Sequence, residues 1–338
     1  MSDHAPRVLR VKEVVRETAD AHSVVFEGPA LPYRPGQFLT LRIPSDLAPT
    51  ARCYSLSSSP AVDDLLKITV KRTAGGYGSN WVCDTVTAGT EIEVLPPAGH
   101  FTPRDLDGDL LLLAGGSGIT PVMSIVKSAL AGPGKGRVIL VYANRDESSV
   151  IFGRELAELS AAHPARLVVV HWLESVQGLP TVAQLRELVR PYAGFEAFLC
   201  GPAPFMAAVE QALAELSVGR ERVHVERFMS LSGDPWAAPV VAEADDSAPA
   251  TVVVDLDGTT SEVSWPRGSR LLDVLLDKGL DAPYSCRQGN CSACACKLVS
   301  GEVSMVANQV LEQEDLDEGW ILACQALPVT DTVSVSYT

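Results

Sequence analysis

The sequence predicts a multidomain protein: an antiparallel β-barrel, then an α/β domain built on a parallel sheet, then a small α+β domain. Residues 1–106 contain short apolar runs separated by glycine and proline and no long amphipathic helix, which is typical of a small barrel. Over 107–232, apolar runs of strand length alternate with helical patterns, and such alternation predicts a parallel sheet covered by helices. A strand pair, one helix and a cysteine-rich loop occupy 250–338, and 233–249 forms the linker.

Composition excludes several classes of protein. With 338 residues, 46% of them apolar and 20% charged, the chain is long enough for two or three domains with separate cores. The net charge of −15 argues against binding to nucleic acid, because a polyanion would be repelled. The longest aliphatic run, 110–114, is far shorter than the roughly 20 residues of a membrane helix. Residues 1–6 show no apolar stretch typical of a signal peptide, so we expect a cytoplasmic protein without membrane association.

The negative charge is concentrated near the end of the chain. From residue 249 onwards there are 13 acidic and 5 basic side chains, about half of the total excess. An acidic domain of this kind can be steered electrostatically toward a basic partner protein. The alternative is that the charge serves solubility alone.

Six strand-length runs predict the barrel. Each is apolar or alternating and is bounded by turn residues, as expected for short antiparallel strands. The predicted strands cover 8–15, 23–27, 37–43, 53–57, 66–72 and 91–95.

The second domain combines five apolar runs with four helical segments. Parallel strands joined by helices bring their carboxyl ends to one edge of the sheet, where ligands bind in open α/β folds. The predicted strands cover 110–114, 137–143, 166–172, 196–200 and 222–228. The predicted helices cover 121–130, 152–162, 182–189 and 204–216.

Residues 230–250 are rich in Pro and Ala and include the acidic run that begins at Glu243. This composition predicts a tether that lets the third domain move, and a rigid, packed linker is the alternative.

In the third domain, two strand-like runs flank an Asp257–Gly258 turn, which is a strong hairpin signal. A helix is expected over 270–278, closed by Gly279. A second, short hairpin is expected around Ser300 and Gly301.

The cysteine loop carries the most specific motif. Cys286, Cys291 and Cys294 follow the spacing C-x4-C-x2-C, and Cys324 lies far along the chain. This is the plant-type spacing for a [2Fe–2S] cluster held by four thiolates. The residues between the ligands are small, so backbone N–H groups can approach the sulfurs. The sequence therefore predicts a [2Fe–2S] cluster on these four cysteines.

Zinc is the main competitor for these thiols. Structural zinc sites usually have two C-x2-C pairs, whereas here there is one such pair and Cys324 stands alone. Cys296 has no place in the ligand spacing, and we expect it to be a buried thiol without a ligand role. The crowding of four cysteines between 286 and 296 also argues against a secreted disulfide framework.

A flavin-binding signal lies on the fourth barrel strand. Arg52, Tyr54 and Ser55 offer a charge for a phosphate, a ring for a flavin edge and a hydroxyl for a polar ring atom. Downstream, the glycines around Gly76 precede a helical segment that contains Ser79. Glycines before a helix N-terminus expose N–H groups that bind a pyrophosphate.

A nucleotide-binding signal opens the α/β domain. The strand 110–114 runs into Gly115, Gly116 and Gly118, and a helix begins near Thr120. The pattern differs from the Rossmann motif, but a glycine loop at a helix N-terminus binds a dinucleotide pyrophosphate by the same physics. An ordinary strand–helix turn, which rarely needs three glycines, is the alternative.

Further candidates lie at other strand ends of this domain. Cys200, Gly201 and Pro202 end a buried strand. Arg145 offers a partner for the 2′-phosphate of NADPH, whereas Asp146 or its neighbour Glu147 offers one for the free 2′-hydroxyl of NADH; the residues leave both open.

Phe228 follows the last predicted strand of the α/β domain, after Val225, Glu226 and Arg227. An aromatic side chain in this position is able to stack on a flavin. A lone phenylalanine at a strand end is more often part of a core.

These motifs in this order resemble the ferredoxin–NADP reductase superfamily, in its variant with a C-terminal plant-type ferredoxin. The likeness covers nearly the whole chain. Five segments are similar to the reductase components of 3-ketosteroid 9α-hydroxylases, which are Rieske-type oxygenase systems. They are Tyr-Ala-Asn-Arg-Asp at 142–146, His-Trp-Leu-Glu at 171–174, Gly-Leu-Pro at 178–180, Ala-Pro-Tyr-Ser-Cys at 282–286, and the acidic segment 310–319.

The resemblance implies a β-grasp ferredoxin fold for the third domain, FAD rather than FMN, and NADH rather than NADPH. It implies FAD binding at Arg52, Tyr54, Ser55, Gly76 and Ser79. For the nucleotide it implies Gly116, Thr120 and Cys200, beside the other candidates given above. Phe228 gains a stacking role, and hydride transfer is assigned to Phe228, Ser55 and Cys200.

The expected activity is NADH-dependent reduction of the flavin, then delivery of single electrons through the cluster to a terminal oxygenase, in steroid degradation. The partner is expected to dock at the acidic ferredoxin domain. Related reductases serve phenylacetyl-CoA epoxidases, which gives an alternative acceptor. Two other classes are an iron–sulfur redox sensor without turnover and a flavin oxidase that makes peroxide.

Overall fold

The computed structural model describes residues 5–29, 31–45, 49–242, 248–256 and 258–337, and their main sheets follow one another in chain order. A six-stranded sheet comes first, then a five-stranded parallel sheet, then a five-stranded mixed sheet. The predicted fold class is thereby observed: a barrel domain, an α/β domain and an α+β domain.

The first sheet is entirely antiparallel and has the strand order β4-β3-β6-β1-β2-β5. A bridge between Leu56 and Ile68 joins its two edges, so the sheet closes into a barrel. Alternate residues face inward, as the two-residue period of a strand requires. The elements are β1 (Arg7–Arg16), β2 (Ala21–Glu27), β3 (Phe38–Ile43), β4 (Thr50–Ser55), β5 (Lys67–Lys71), α1 (Tyr77–Thr85) and β6 (Glu91–Ala98).

The second sheet has the order β11-β10-β7-β8-β9, and every strand pair in it is parallel. Its strands are β7 (Leu110–Gly115), β8 (Val138–Asn144), β9 (Leu167–Leu173), β10 (Glu196–Cys200) and β11 (Val223–Glu226). Its helices are α2 (Ile119–Ala131), α3 (Gly153–Ala162), α4 (Glu174–Gln177), α5 (Val182–Val189) and α6 (Ala203–Glu215). Because β8 and β10 flank β7, strand order reverses at the carboxyl end of β7, which is where ligands bind in such sheets.

Apolar cores cover both faces of this sheet. Alternate residues of β7 point to opposite sides: Leu110 and Leu112 join the core under α2 and α3, and Leu111 and Leu113 join the core under α5 and α6. Strands buried on both faces are expected to be continuously apolar. One prediction is too long, because β11 ends at Glu226 and Phe228 lies beyond the strand.

The third sheet has the order β13-β12-β18-β14-β16, in which β12 and β18 are parallel. Helix α7 packs its leucines against it, and Gly279 closes that helix in the left-handed region. The elements are β12 (Ala250–Leu256), β13 (Thr259–Trp265), α7 (Leu271–Asp277), β14 (Ala295–Ser300), β15 (Val303–Met305), α8 (Gln313–Asp317), β16 (Trp320–Leu322), β17 (Ala326–Pro328) and β18 (Thr332–Ser336).

The two hairpin predictions have different outcomes. β12 and β13 pair along their whole length, and Gly258 has a φ of +79°, although Asp257 lies outside the described residues. The hairpin around Ser300 and Gly301 is wrong. β14 pairs with β16 and β18, whereas β15 pairs with β17, so the turn at Gly301 joins two different sheets.

The described part of the linker is packed against the barrel and against the third domain, where the N–H of Ala242 donates to Ser269 Oγ at 2.8 Å. Arg52 Nη1 donates to the carbonyl oxygen of Leu231 at 2.9 Å, and the guanidinium of Arg42 lies 5.5 Å from the ring centre of Trp236 and 3.8 Å from Asp234. These contacts favour the packed alternative over a free tether. The acidic run that begins at Glu243 lies outside the described residues.

Within the described ranges, no helix is both long enough and apolar enough to span a membrane.

Candidate electron-transfer site

The cysteine loop follows α7 and turns its backbone toward its own sulfurs. The N–H groups of Gln288 and Asn290 donate to Cys286 Sγ at 3.4 and 3.3 Å, and the N–H of Cys286 donates to Cys291 Sγ at 3.3 Å. Gly289 has a φ of +78°, and its Cβ position lies 2.8 Å from the carbonyl oxygen of Ala307, so no larger residue fits. The small residues of this loop therefore permit the N–H···S contacts that the sequence predicts.

Cys324 reaches the loop from the chain segment between β16 and β17. Its N–H donates to Cys294 Sγ at 3.4 Å, and its own sulfur accepts from Gln325 Nε2 at 3.4 Å. Cys286, Cys294 and Cys324 are each at most 2% exposed. All four predicted ligands are thus brought together, three of them buried and Cys291 partly exposed.

The thiols contact one another in a chain. Cys291 and Cys324 both interact with Cys286, which lowers the pKa of that thiol, and Cys324 also interacts with Cys294. Four thiols with N–H groups aimed at the sulfurs fit the terminal ligands of a [2Fe–2S] cluster, whose potential such contacts tune.

Cys296 lies on β14 and is fully buried. Burial raises its pKa well above the ordinary thiol value, so it stays protonated at neutral pH. It faces the apolar core of the third domain, together with Trp265 and Val335. This placement supports its predicted role as a buried thiol without a ligand function.

Four of the five predicted flavin residues, Arg52, Tyr54, Gly76 and Ser79, meet at the N-terminus of α1. Arg52 and Tyr54 share one face of β4, and a Cβ on Gly78 would lie 2.7 Å from Arg52 Cγ and 3.2 Å from Tyr54 Oη. Ser79 Oγ accepts from the N–H of Thr73 at 3.0 Å. A Cβ on Gly76 would lie 2.9 Å from the same hydroxyl oxygen. Only glycines let the backbone approach this closely, and the result is a basic cradle that fits the pyrophosphate of FAD.

Ser55 belongs to a separate niche, on the opposite face of β4 from Tyr54. This niche is lined by Phe38, Cys53, Ser55, Glu226, Arg227, Phe228, Met229, Leu231, Asn290 and Cys291. It therefore joins all three domains: the barrel strands, the chain after β11 and the cysteine loop. Ser55 is 5% exposed, whereas Phe228 is 51% exposed and is not part of a core.

Glu226 is a residue to which the sequence analysis gives no role. It is half-buried at the end of β11, opposite Cys200 of β10, and burial raises its pKa to about 7. A glutamate on a four-residue strand is not distinctive in sequence, because such residues are usually solvated. Its charge acts on Cys200, whose thiol is fully buried and has a raised pKa mainly because of that burial.

The two nucleotide loops pack against each other at the switch point of the parallel sheet. Gly116 has a φ of +51°, and its carbonyl oxygen accepts from Tyr142 Oη at 3.1 Å. A Cβ on Gly118 would lie 2.1 Å from the carbonyl oxygen of Cys200 and 2.7 Å from the nitrogen of Gly201.

Neighbouring groups complete this packing. A Cβ on Gly115 would lie 2.7 Å from Pro202, and Thr120 Oγ1 donates to the carbonyl oxygen of Ser117 at 3.0 Å. The predicted loop residues are therefore brought together. Arg145 lies apart from them, at the end of β8, in an ion pair with Asp20.

The cysteine loop lies directly against the flavin strand. Thr40 Oγ1 and Ser285 Oγ are hydrogen-bonded at 2.6 Å, and Cys53 Sγ lies 4.0 Å from the same Ser285 hydroxyl. Cys286 packs into a small apolar cluster with Ala51. One side of β4 thus carries Arg52 and Tyr54, and the other side contacts the cluster loop.

Three family models match the chain in the order of its sheets. They are an oxidoreductase FAD-binding domain over residues 8–102, an oxidoreductase NAD-binding domain over 112–211 and a 2Fe-2S iron-sulfur cluster binding domain over 254–329. The predicted set of FAD, nicotinamide nucleotide and [2Fe–2S] cluster is thereby confirmed. The domain boundaries and the individual site residues stay predictions.

Curated relatives match along the whole chain. The 3-ketosteroid-9-alpha-monooxygenase, ferredoxin reductase component, of Mycolicibacterium smegmatis is 61% identical over 97% of this chain and 96% of the relative. A component of the 1,2-phenylacetyl-CoA epoxidase of Escherichia coli is 34% identical over 97% of each chain. The solved structure of phthalate dioxygenase reductase covers 98% of each chain with a TM-score of 0.60 at 24% identity, and it confirms the predicted fold class.

The chain therefore belongs to the family of FAD-, nicotinamide- and [2Fe–2S]-binding reductases that supply electrons to multicomponent oxygenases.

Proposed function

We propose that this reductase oxidises NADH and delivers single electrons to a terminal oxygenase that acts on a 3-ketosteroid. The observation that carries the proposal is the niche in which Ser55, Phe228 and Cys291 meet, because it puts the flavin strand within contact distance of a cluster ligand. The steroid class rests on the 61% identical relative, compared with 34% for the epoxidase component. We place the activity in the cytoplasm, where NADH is available.

Each group in the niche has a role that follows from its chemistry. A flavin held here would supply a hydride acceptor that can release electrons one at a time. The Ser55 hydroxyl would be the donor to a polar atom of its ring, and the exposed Phe228 ring would cover the ring face when no nicotinamide is bound. Arg52 and the N–H groups after Gly76 hold the pyrophosphate.

On the nucleotide side, the loop residues Gly116 and Thr120 hold the NADH pyrophosphate at the switch point. Glu226 of β11 lines the approach to the flavin, and the fully buried Cys200 lies beside it on β10. Since the pKa of Glu226 is about 7, the charge beside the hydride path changes near neutral pH.

The docking site for the oxygenase is proposed on the acidic face of the ferredoxin domain. The segment around α8 is rich in carboxylates, and Glu314, Asp317 and Glu318 are exposed. Complementary charge mainly accelerates association and is screened by salt.

Anaerobic titration of the purified holoprotein with NADH tests the activity. We expect bleaching of the flavin, then of the cluster absorption, and rapid reduction of cytochrome c. Reconstitution with a 3-ketosteroid oxygenase is expected to give NADH-dependent hydroxylation that slows as ionic strength rises. No NADH-dependent reduction would favour a redox sensor, and flavin reoxidation by oxygen that outruns cluster reduction would favour an oxidase.

Glu226 leads to a prediction about stability. Its folded-state pKa of about 7 exceeds the ordinary value of 4.5, so the folded protein binds more protons between these values than the unfolded chain does. Stability is therefore lost as pH rises from about 5 to 8. Glu226→Gln removes this ionisation, so its Tm should match that of wild type near pH 5 and exceed it by roughly 2–4 °C at pH 8.

Thermal release of flavin fluorescence from the holoprotein measures this difference. Glu221→Gln is the matched control, because it removes one charge from a side chain that is 78% exposed. A Tm difference for Glu226→Gln that is constant between pH 5 and 8 would contradict the assigned ionisation.

A further inference from the structure

A salt bridge between two domains lies where the nucleotide ribose is expected. In a parallel sheet whose first strand carries the pyrophosphate loop, the residue at the end of the second strand meets the 2′ position of the adenosine ribose. Here the pyrophosphate loop follows β7, and Arg145 directly follows β8. The arginine is therefore the group that a 2′-phosphate would use.

The guanidinium of Arg145 already has a partner. Its Nη2 lies 3.1 Å from Asp20 Oδ2, although 125 residues separate the two in sequence. Asp20 belongs to the turn between β1 and β2 of the barrel, and Thr18 Oγ1 donates to its other carboxylate oxygen at 2.8 Å. The same carboxylate lies 3.8 Å from Lys71 Nζ. Asp20 is thus held in place by its own domain and neutralises cations of both domains.

The neighbouring acidic residue is occupied locally. The Asp146 carboxylate accepts from the N–H of Ser149 at 2.9 Å and from Ser148 Oγ at 2.7 Å, and so caps the short turn that follows. It is engaged with its own loop, which leaves Asp20 as the carboxylate in contact with Arg145.

Asp20 and Arg145 line one cleft between the barrel and the nucleotide domain. The cleft has a volume of about 610 Å³, large enough for part of a dinucleotide, and its charged lining residues are Asp20, Lys71, Arg72, Asp84 and Arg145. Arg72 is paired with Asp84 through two contacts of 2.8 and 2.9 Å. Arg145 and Lys71 therefore share the carboxylate of Asp20, and the two carboxylates of the cleft offset two of its three positive charges.

We propose that Asp20 is a specificity-determining residue that selects NADH against NADPH. Its carboxylate occupies the guanidinium of Arg145 and places a negative charge where the 2′-phosphate of NADPH would lie. That phosphate carries about two negative charges, whereas the 2′-hydroxyl of NADH carries none. A residue of the flavin domain thus disfavours NADPH by electrostatic repulsion of its 2′-phosphate. Selectivity of this kind comes from weakening the binding of the wrong ligand. The inference rests on the proposed preference for NADH.

The variant Asp20→Asn keeps the shape of the side chain and removes its charge. We expect the ratio of kcat/KM for NADPH to that for NADH, measured by anaerobic stopped-flow reduction of the flavin, to rise roughly tenfold. The effect is limited because Arg145 is 66% exposed, and it should shrink at high salt. Binding of 2′-phospho-AMP, measured by calorimetry against AMP, is expected to tighten by a similar factor.

Two further variants test whether the effect requires the Asp20–Arg145 pair or follows from the loss of any negative charge. Glu158→Gln removes a carboxylate that pairs with Arg154 on α3, outside the cleft, and it should leave the NADPH/NADH ratio unchanged. Arg145→Ala in the Asp20→Asn background should abolish the gain. If Asp20→Asn leaves both the NADPH/NADH ratio of kcat/KM and the binding of 2′-phospho-AMP unchanged while the wild type prefers NADH, the role of Asp20 is wrong and the NADH preference stands. A wild type that prefers NADPH would instead overturn the proposed NADH preference.

Discussion

Cys324→Ser is expected to abolish the visible absorption and the reduced-state paramagnetic signal of the [2Fe–2S] cluster, while NADH still reduces the flavin. Cys324 is 2% exposed and is the proposed ligand from outside the loop, so its loss would leave three thiols that cannot close the site. In metal sites, mutating a group that hydrogen-bonds to a ligand already lowers metal affinity or activity by about 10–100-fold. Loss of a direct ligand should therefore lower electron delivery to cytochrome c by at least about 100-fold.

The control is Cys296→Ser, which changes a buried cysteine of the same domain without touching the proposed ligand set. It should keep the cluster spectrum. Iron and sulfide analysis of both variants, together with flavin content, distinguishes a missing ligand from a misfolded chain. A cluster lost in Cys296→Ser but retained in Cys324→Ser would show that the fourth ligand is assigned wrongly.

Gly118→Ala is expected to lower the rate of flavin reduction by NADH by on the order of 100-fold. The added Cβ would lie 2.1 Å from the carbonyl oxygen of Cys200 and 2.7 Å from the nitrogen of Gly201, and both are backbone atoms that cannot swing away. The loops after β7 and β10 must therefore separate. A displacement of about 1 Å in an element that positions the substrate lowers the reaction rate by about 100-fold.

Gly194→Ala is the matched control in the same domain, because no heavy atom lies within 4 Å of its Cβ position. Dithionite should reduce the flavin and cluster of Gly118→Ala as in wild type, which restricts the defect to the nucleotide step. If Gly118→Ala accepts electrons from NADH as fast as Gly194→Ala, close packing of the two loops is not what positions the nucleotide.

Sequence reasoning succeeds where a local pattern has one physical solution. The spacing of Cys286, Cys291 and Cys294 admits few sites, and the glycine loop after 110–114 fits a strand end at a switch point. The barrel strands were predictable because alternation with a period of two defines which residues face inward.

The parts that sequence missed depend on contacts between distant segments. The partnership of Asp20 and Arg145 joins residues of two domains and has no local signature. Glu226 gains its raised pKa only from the burial that three converging domains produce. The wrong hairpin at Gly301 has the same origin: the turn is correct, but strand partners come from elsewhere in the chain.

The contact between β4 and the cysteine loop has a consequence for engineering. The hydrogen bond of Thr40 to Ser285 and the position of Cys53 make the ferredoxin module fit this particular barrel surface. A chimera that receives a foreign ferredoxin module would therefore need the barrel positions 40 and 53 exchanged with it. Grafting at the linker alone would keep the absorption of both the flavin and the cluster but would slow electron transfer between the two cofactors.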